Sequence, residues 1–345
     1  MLNSLNYFRA IAITIIVAGH FYPVLGINHE SFLNRTMINL ITGGTALFVF
    51  ISGFLFHHVF IKTYKFDFFI IKKIKKIFIP YFILGILPVF YLVWTGANYY
   101  GDYFLADGEG VLTSFIFPVS KYYLTGRFLT AYWYIPFIIL VFLMSPAHVK
   151  YAKLNLSLQI LIIVILSFVS ILIHRPTGNL LPFQNLIYFT PIYLIGITVS
   201  IHKDYIYKKL QGKEFYLLAI TISLAVIQAS LGYTGSYHKS MLTYAGIDIM
   251  FFQKIVMCFF FLIWLKKYEN VEVRTLNLLA STSFAIFFIH PIIISIVYKS
   301  QVSFSGSDSF LFLVLITLLV LFFCVVFALI LRYLIPKHSR YIIGY

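Results

Sequence analysis

The sequence predicts an all-α integral membrane protein, a bundle of about ten transmembrane helices with both termini in the cytoplasm. Of its 345 residues, 61% are hydrophobic and only 11% are charged. Mean hydropathy is +0.93. Stretches of about 20 mostly apolar residues, the length that crosses a bilayer, recur along the whole chain. A soluble domain carries about 25% charged residues and under half apolar ones. The composition therefore excludes a water-soluble globule, and equally the disordered, collagen-like and disulfide-scaffold classes.

The apolar stretches lie near 5–27, 39–61, 77–96, 129–147, 157–174, 185–201, 215–232, 246–265, 276–298 and 310–333. Several contain Gly or Pro, which membrane helices tolerate better than soluble ones. The first has no small-residue cleavage site after it and reads as a retained anchor, not a signal peptide. The longest connection, 97–127, carries Asp102, Asp107 and Glu109 among glycines and tyrosines. With no repeat and no low-complexity tail, residues 1–345 are expected to form one membrane domain without an appended soluble one. Cys258 and Cys324 fall inside apolar runs, as buried free thiols do.

The formal net charge is +15, with 26 Lys+Arg against 11 Asp+Glu. In a polytopic protein that excess belongs first to cytoplasmic loops, so nucleic acid is not expected as a partner. Arg9, the lysines between 62 and 76, Lys150, Lys153, the lysines between 203 and 213, Lys266, Lys267, Arg274, Arg332, Lys337 and Arg340 share one side, 19 in all. Arg35, Lys121, Arg127, Arg175, Lys239 and Lys299 share the other, with Lys254 inside a helix. The positive-inside rule then places both termini in the cytoplasm and requires an even number of spans.

Ionisable groups inside a bilayer are costly, so each is a candidate site. In the first span Arg9 and His20 are eleven residues apart, about 1100° of helical rotation, which puts them on one face about 16 Å apart along the axis. Two readings stand: a snorkelling Arg with a core His, or a functional pair. In the second span Ser52-Gly53 interrupts an aromatic stretch; small residues let helices approach closely, and packing alone explains them. His57 and His58 near its inner end read as interfacial. Lys72, Lys73, Lys75 and Lys76 form a collar before Pro80 that serves orientation and anionic lipid, or docks a phosphorylated ligand. Tyr132-Trp133-Tyr134 opens the fourth span as an interfacial belt. Asp248 and Lys254, six residues apart, fall on different faces, which argues against a direct pair. In the ninth span His290 precedes Pro291, whose missing N–H frees a carbonyl of the preceding turn. Its depth, about 20 Å from the cytoplasmic end, also lets it be reached from the outer half.

P-loop, GxSxG, HExxH and CxxC patterns are absent, and no span holds paired carboxylates, so no metal site is expected. Deep histidines instead suit base chemistry in an embedded site.

Together these residues resemble the acyltransferase-3 family, bacterial membrane O-acyltransferases of surface glycans, over nearly the whole chain. Arg9 and His20 reproduce its Arg-x10-His. Phe48 through Phe54 (FVFISGF) resembles its FFxxSGF, with Val49 in place of the second Phe. The lysine run before Ile77, Pro80 and Tyr81 is similar to its basic RxxR segment, with lysines where arginines are usual and the register open between Lys72/Lys75 and Lys73/Lys76. Trp133 matches a W-[FY] signature, and SFAIFFIHP resembles the late S-[YF]-x-[IL]-Y-x-x-H-x motif. KIFIPYF and the short chain ends are similar to the biofilm-polysaccharide branch, which the resemblance associates with succinylation or acetylation of the polymer.

The resemblance implies transfer of an acyl group, foremost acetyl from acetyl-CoA, to a carbohydrate hydroxyl at a bacterial inner membrane. Acyl-CoA is then a co-substrate and not a resident cofactor. The partners are membrane lipid and a lipopolysaccharide, capsule or exopolysaccharide precursor. His20 is implied as base, with Arg9 and His290 beside it in the catalytic set. Lys72, Lys73, Lys75, Lys76, Ser52 and Gly53 are implied for the CoA, and Trp133 and Tyr134 for the acceptor. Two alternatives remain: a polysaccharide or small-molecule transporter, for which inverted repeats are missing, and a non-catalytic subunit of an exopolysaccharide export machine.

Overall fold

The computed structural model describes residues 2–96, 102–105, 108, 110–300 and 310–345. Asp107 and Glu109 of the long connection lie outside the described residues. Helix α1 (Asn3–Phe21) ends just before Pro23, which has no N–H to continue the ladder, so the expected span to 27 stops early. Helices α2 (Phe32–Ile41) and α3 (Thr45–Leu55) form one crossing, broken at Thr42–Gly44. Gly43 turns there with φ +73°. Lys254 supports the break: its Nζ donates to the carbonyls of Asn39 and Leu40, each at 2.9 Å. These are the C-terminal carbonyls that a helix leaves without partners of its own.

After α3 a wide π turn (Phe56–Phe60) leads to α4 (Phe66–Lys73). A second π turn (Ile74–Phe78) joins α4 to α5 (Ile79–Thr95). The lysine run is thus inside a helical crossing that starts at 66, not in a collar ahead of one starting at 77. Lysine is a good helix former, and Pro80 falls in the first turn of α5, where its missing N–H costs little. Then come α6 (Phe117–Thr125), α7 (Tyr134–Leu143) and α8 (Ser145–Ala152), the last two bent by 56°. Residues 129–133, expected to be helical, form turns.

Helices α9 (Leu156–Ile173) and α10 (Pro182–Ile201) follow, then α11 (Lys203–Leu210) and α12 (Glu214–Ser230), bent by 86°. The chain closes with α13 (Ile249–Lys266), α14 (Arg274–Lys299), α15 (Phe310–Leu334) and α16 (Ser339–Ile343). Among the described residues eight helical runs are long and apolar enough to cross a membrane, and ten if each bent pair is one crossing. The all-α expectation holds apart from one two-residue parallel ladder, β1 (Arg175–Pro176) with β2 (His238–Lys239).

Helix α10 forms the centre and packs backbone to backbone against α3. A Cβ at Gly53 would lie 2.0 Å from the Tyr193 carbonyl oxygen, and one at Gly196 would lie 2.2 Å from that of Phe50. Helices α9 and α15 present mostly exposed Leu, Ile and Phe, as lipid-facing helices do. Asp248 caps α13 by accepting from the Phe251 amide at 3.1 Å and takes the Tyr188 hydroxyl at 2.7 Å, so it makes no pair with Lys254. Both chain ends sit at the lysine-rich end of the bundle. Asn3 hydrogen-bonds Glu269, and Gly344 packs near the Lys76 carbonyl.

Candidate active site

Helices α1 and α14 run parallel and are joined by polar rungs. Asn6 Nδ2 donates to Asn277 Oδ1 at 3.1 Å, Arg9 Nη2 donates to Ser283 Oγ at 2.7 Å, and His20 Nδ1 lies 3.2 Å from His290 Nε2. The one-face spacing of Arg9 and His20 places both against α14. Ser283, the first residue of the late motif, was not among the expected site residues; the motif itself carries that signal.

The imidazole pair has a definite hydrogen-bond order. His290 Nδ1 lies 2.7 Å from the Ile286 carbonyl oxygen, which only accepts, so we assign the His290 proton to Nδ1. His290 Nε2 is then an acceptor for His20 Nδ1–H, which leaves His20 Nε2 with a free lone pair. Pro291, one residue on, lies inside a continuous α14, and Tyr132 donates its hydroxyl to the Phe288 carbonyl at 2.8 Å.

His20 borders two spaces. Toward the lysine-rich end is a chamber of about 10 Å³ lined by Phe48, Tyr134, Phe284 and Phe287, room for a single water. Phe284 also lies under the Arg9 guanidinium, 5.9 Å from its ring centre. Toward the opposite end is a polar cavity of about 310 Å³ whose walls include Gly44, Thr45, Arg127, Arg175, Asn179 and His238. Arg175 is 7% exposed. Its Nη1 donates to Ser236 Oγ at 2.6 Å and its Nη2 to Asn179 Oδ1 at 3.1 Å, while the guanidinium lies 4.6 Å over the Trp133 ring. Burial lowers its pKa to about 10, so it stays charged near neutrality. The sequence placed Arg175 only among the basic residues of the less basic side. Its inward turn depends on the ladder of Arg175–Pro176 with His238–Lys239, a long-range pairing.

At the lysine-rich end Lys73 is caged by the rings of Phe142 (4.4 Å), Phe60 (5.0 Å) and Phe69 (5.2 Å), within electrostatic reach of Lys76 and Arg9. Lys76 in turn lies near Arg340 and Lys72. Lys72 lies over Phe68 at 3.8 Å, and Lys75 is exposed. Of the four lysines it is Lys73 that comes within electrostatic reach of Arg9, while Lys76, exposed like Lys75, lies nearer Arg340.

One expectation needs correction. Tyr132, Trp133 and Tyr134 are buried, not an interfacial belt, because the loop before α7 tucks them under α10 and α14. Trp133 and Tyr134 line the spaces beside His20. Gly53 lies directly against the backbone of α10, the close helix approach that a small residue allows, and Ser52 faces the Tyr134 hydroxyl. His57, read as interfacial, lies 2.9 Å from Ser200 Oγ, and His58 is exposed.

A family model described as an acyltransferase domain, that of the acyltransferase-3 family, matches residues 2–329. No curated protein and no solved structure matches the chain. The chain belongs to the acyltransferase-3 family and is a multi-pass membrane acyltransferase.

Proposed function

We propose that the protein moves an acyl group, acetyl in the simplest case, from acyl-CoA to a hydroxyl of an exported or cell-surface carbohydrate. The observation that supports this most is that one imidazole, His20, stands between two differently built approaches. In this reading the lysine-rich end and both termini are cytoplasmic, in the bacterial inner membrane. Lys73, Lys76 and Arg9 attract the phosphates of CoA as point charges and a fork. The acceptor enters from the polar cavity on the other side.

Chemistry follows from the hydrogen-bond order. His20 Nε2 takes the proton of the attacking hydroxyl as its oxygen bonds to the thioester carbonyl carbon. His290 accepts from His20 Nδ1–H throughout, which fixes the ring and disperses the imidazolium charge. The first turn of α3 lies on the cavity wall at Gly44 and Thr45, so its positive end stands beside His20, where oxyanion charge develops. Collapse of the tetrahedral intermediate breaks the carbon–sulfur bond, and the CoA sulfur leaves with the proton from His20. The chamber lined by Phe284 and Phe287 holds at most one water and is narrower than a pantetheine arm, so these rings must part for transfer.

The test is acyl content of the surface glycan, by NMR or mild alkaline release, in cells making wild-type or His20→Gln protein at equal level. Loss of acylation in the variant is expected; wild-type acylation makes His20 structural. Orientation is tested separately. Cys258 and Cys324 are buried, so a cysteine at Leu242, 97% exposed, should be labelled from outside intact cells and one at Lys75 only after permeabilisation. The reverse pattern overturns the assigned sides.

A further inference from the structure

We propose that the acceptor carries a negative charge, a carboxylate or a phosphate ester, and that Arg175 binds it in the polar cavity beside His20. This rests on the acyl-transfer reading only for the word acceptor; the anion site itself stands on the cavity. Arg175 is buried at 7% exposure, yet among the described residues no carboxylate contacts its guanidinium. The acid nearest in effect, Asp248, is committed to the Tyr188 hydroxyl and the Phe251 amide. Arg175 instead has neutral partners, Ser236 and Asn179, and its Nε is left without one. A buried cation whose opposite charge, Asp248, acts only from a distance is costly unless a ligand supplies a closer one.

The guanidinium is also held in place. Ser236 and Asn179 grip it at two nitrogens, and Trp133 supports its face. Such a fork favours planar or tetrahedral oxyanions that bind through two oxygens. No Asp or Glu lines the cavity among the described residues. The donor has its own cationic end near Arg9, on the far side of the Phe284 and Phe287 rings. The charged group that Arg175 receives therefore belongs to the molecule entering from the cavity side.

The experiment uses purified full-length protein in nanodiscs, with Trp94 and Trp264 replaced by Phe, so that emission reports Trp133 beneath Arg175. It is titrated with glucose, glucuronate and glucose 1-phosphate. At least one charged sugar should bind about ten- to a hundredfold tighter than glucose, the range for a charge-assisted hydrogen bond. The tighter of the two identifies carboxylate or phosphate as the source. Arg175→Gln should erase the preference, and Arg175→Lys, which keeps charge but not the fork, should retain part of it. Equal binding of all three sugars by the unsubstituted site overturns the proposal whatever the variants do, as does a full preference in Arg175→Gln. His20→Gln should keep the preference. An anion preference without any acyl transfer would remove the proposed reaction and leave this site; transfer without preference would do the opposite.

Discussion

The two ends of helix α1 hold cations in opposite ways. At the lysine-rich end Lys73 is surrounded by aromatic rings and Lys75 is exposed, on a π turn that widens the helix. Lysine is a compact charge without the planar fork of arginine, suited to attracting a ligand without dictating its orientation. At the cavity end Arg175 is gripped by Ser236 and Asn179 over Trp133. There the charge is oriented before any ligand arrives, and orientation is what distinguishes one ligand from another. Basic residues of similar formal charge thus serve attraction at one end and selection at the other, with His20 between them.

The largest expected effect removes what connects the ends. His20→Gln should lower the rate of acyl transfer by about 10² to 10⁴, the range for a positioned general base. Binding of acyl-CoA and of charged sugar should stay near wild type. If binding at either end falls with the rate, His20 is a structural strut and the two ends are one unit.

Next, Lys73→Gln with Lys76→Gln should raise the apparent KM for acyl-CoA by roughly tenfold and flatten its dependence on salt. The acceptor KM should not move. Unchanged donor kinetics in a normally inserted protein would leave the lysines an orienting role only, and the contrast between the ends would disappear.

A smaller effect is expected from Ser283→Ala, which frees Arg9 without removing its charge. Arg9 keeps its charge and can turn to other acceptors, so the loss should be that of an ordinary hydrogen bond, about three- to tenfold in kcat/KM for acyl-CoA. Steady-state kinetics that do not change would show that Arg9 needs no fixed direction, like the lysines beside it.

The least effect on activity is expected from Lys254→Met. It leaves the Asn39 and Leu40 carbonyls unpaired at the break that carries Gly44 and Thr45 to the cavity wall. The cost should appear as stability, about 1–3 kcal/mol, read as a lower melting midpoint in detergent. A wild-type midpoint would mean that water satisfies those carbonyls.

Hydropathy and helical periodicity made the spans, the shared face of Arg9 and His20, and the non-pairing of Asp248 with Lys254 legible in the sequence. These are local properties: each span must be apolar over its own length, and each residue's angle about its axis follows from its position. The tertiary structure alone decided that His20 meets His290, that Arg9 meets Ser283, that Trp133 is buried and that Arg175 turns inward. It also placed Gly53 against Tyr193 and Lys254 at the break between α2 and α3. Such contacts join residues tens to hundreds of positions apart. The period of one helix determines which face a side chain occupies, but only the packing of the bundle determines what that face meets.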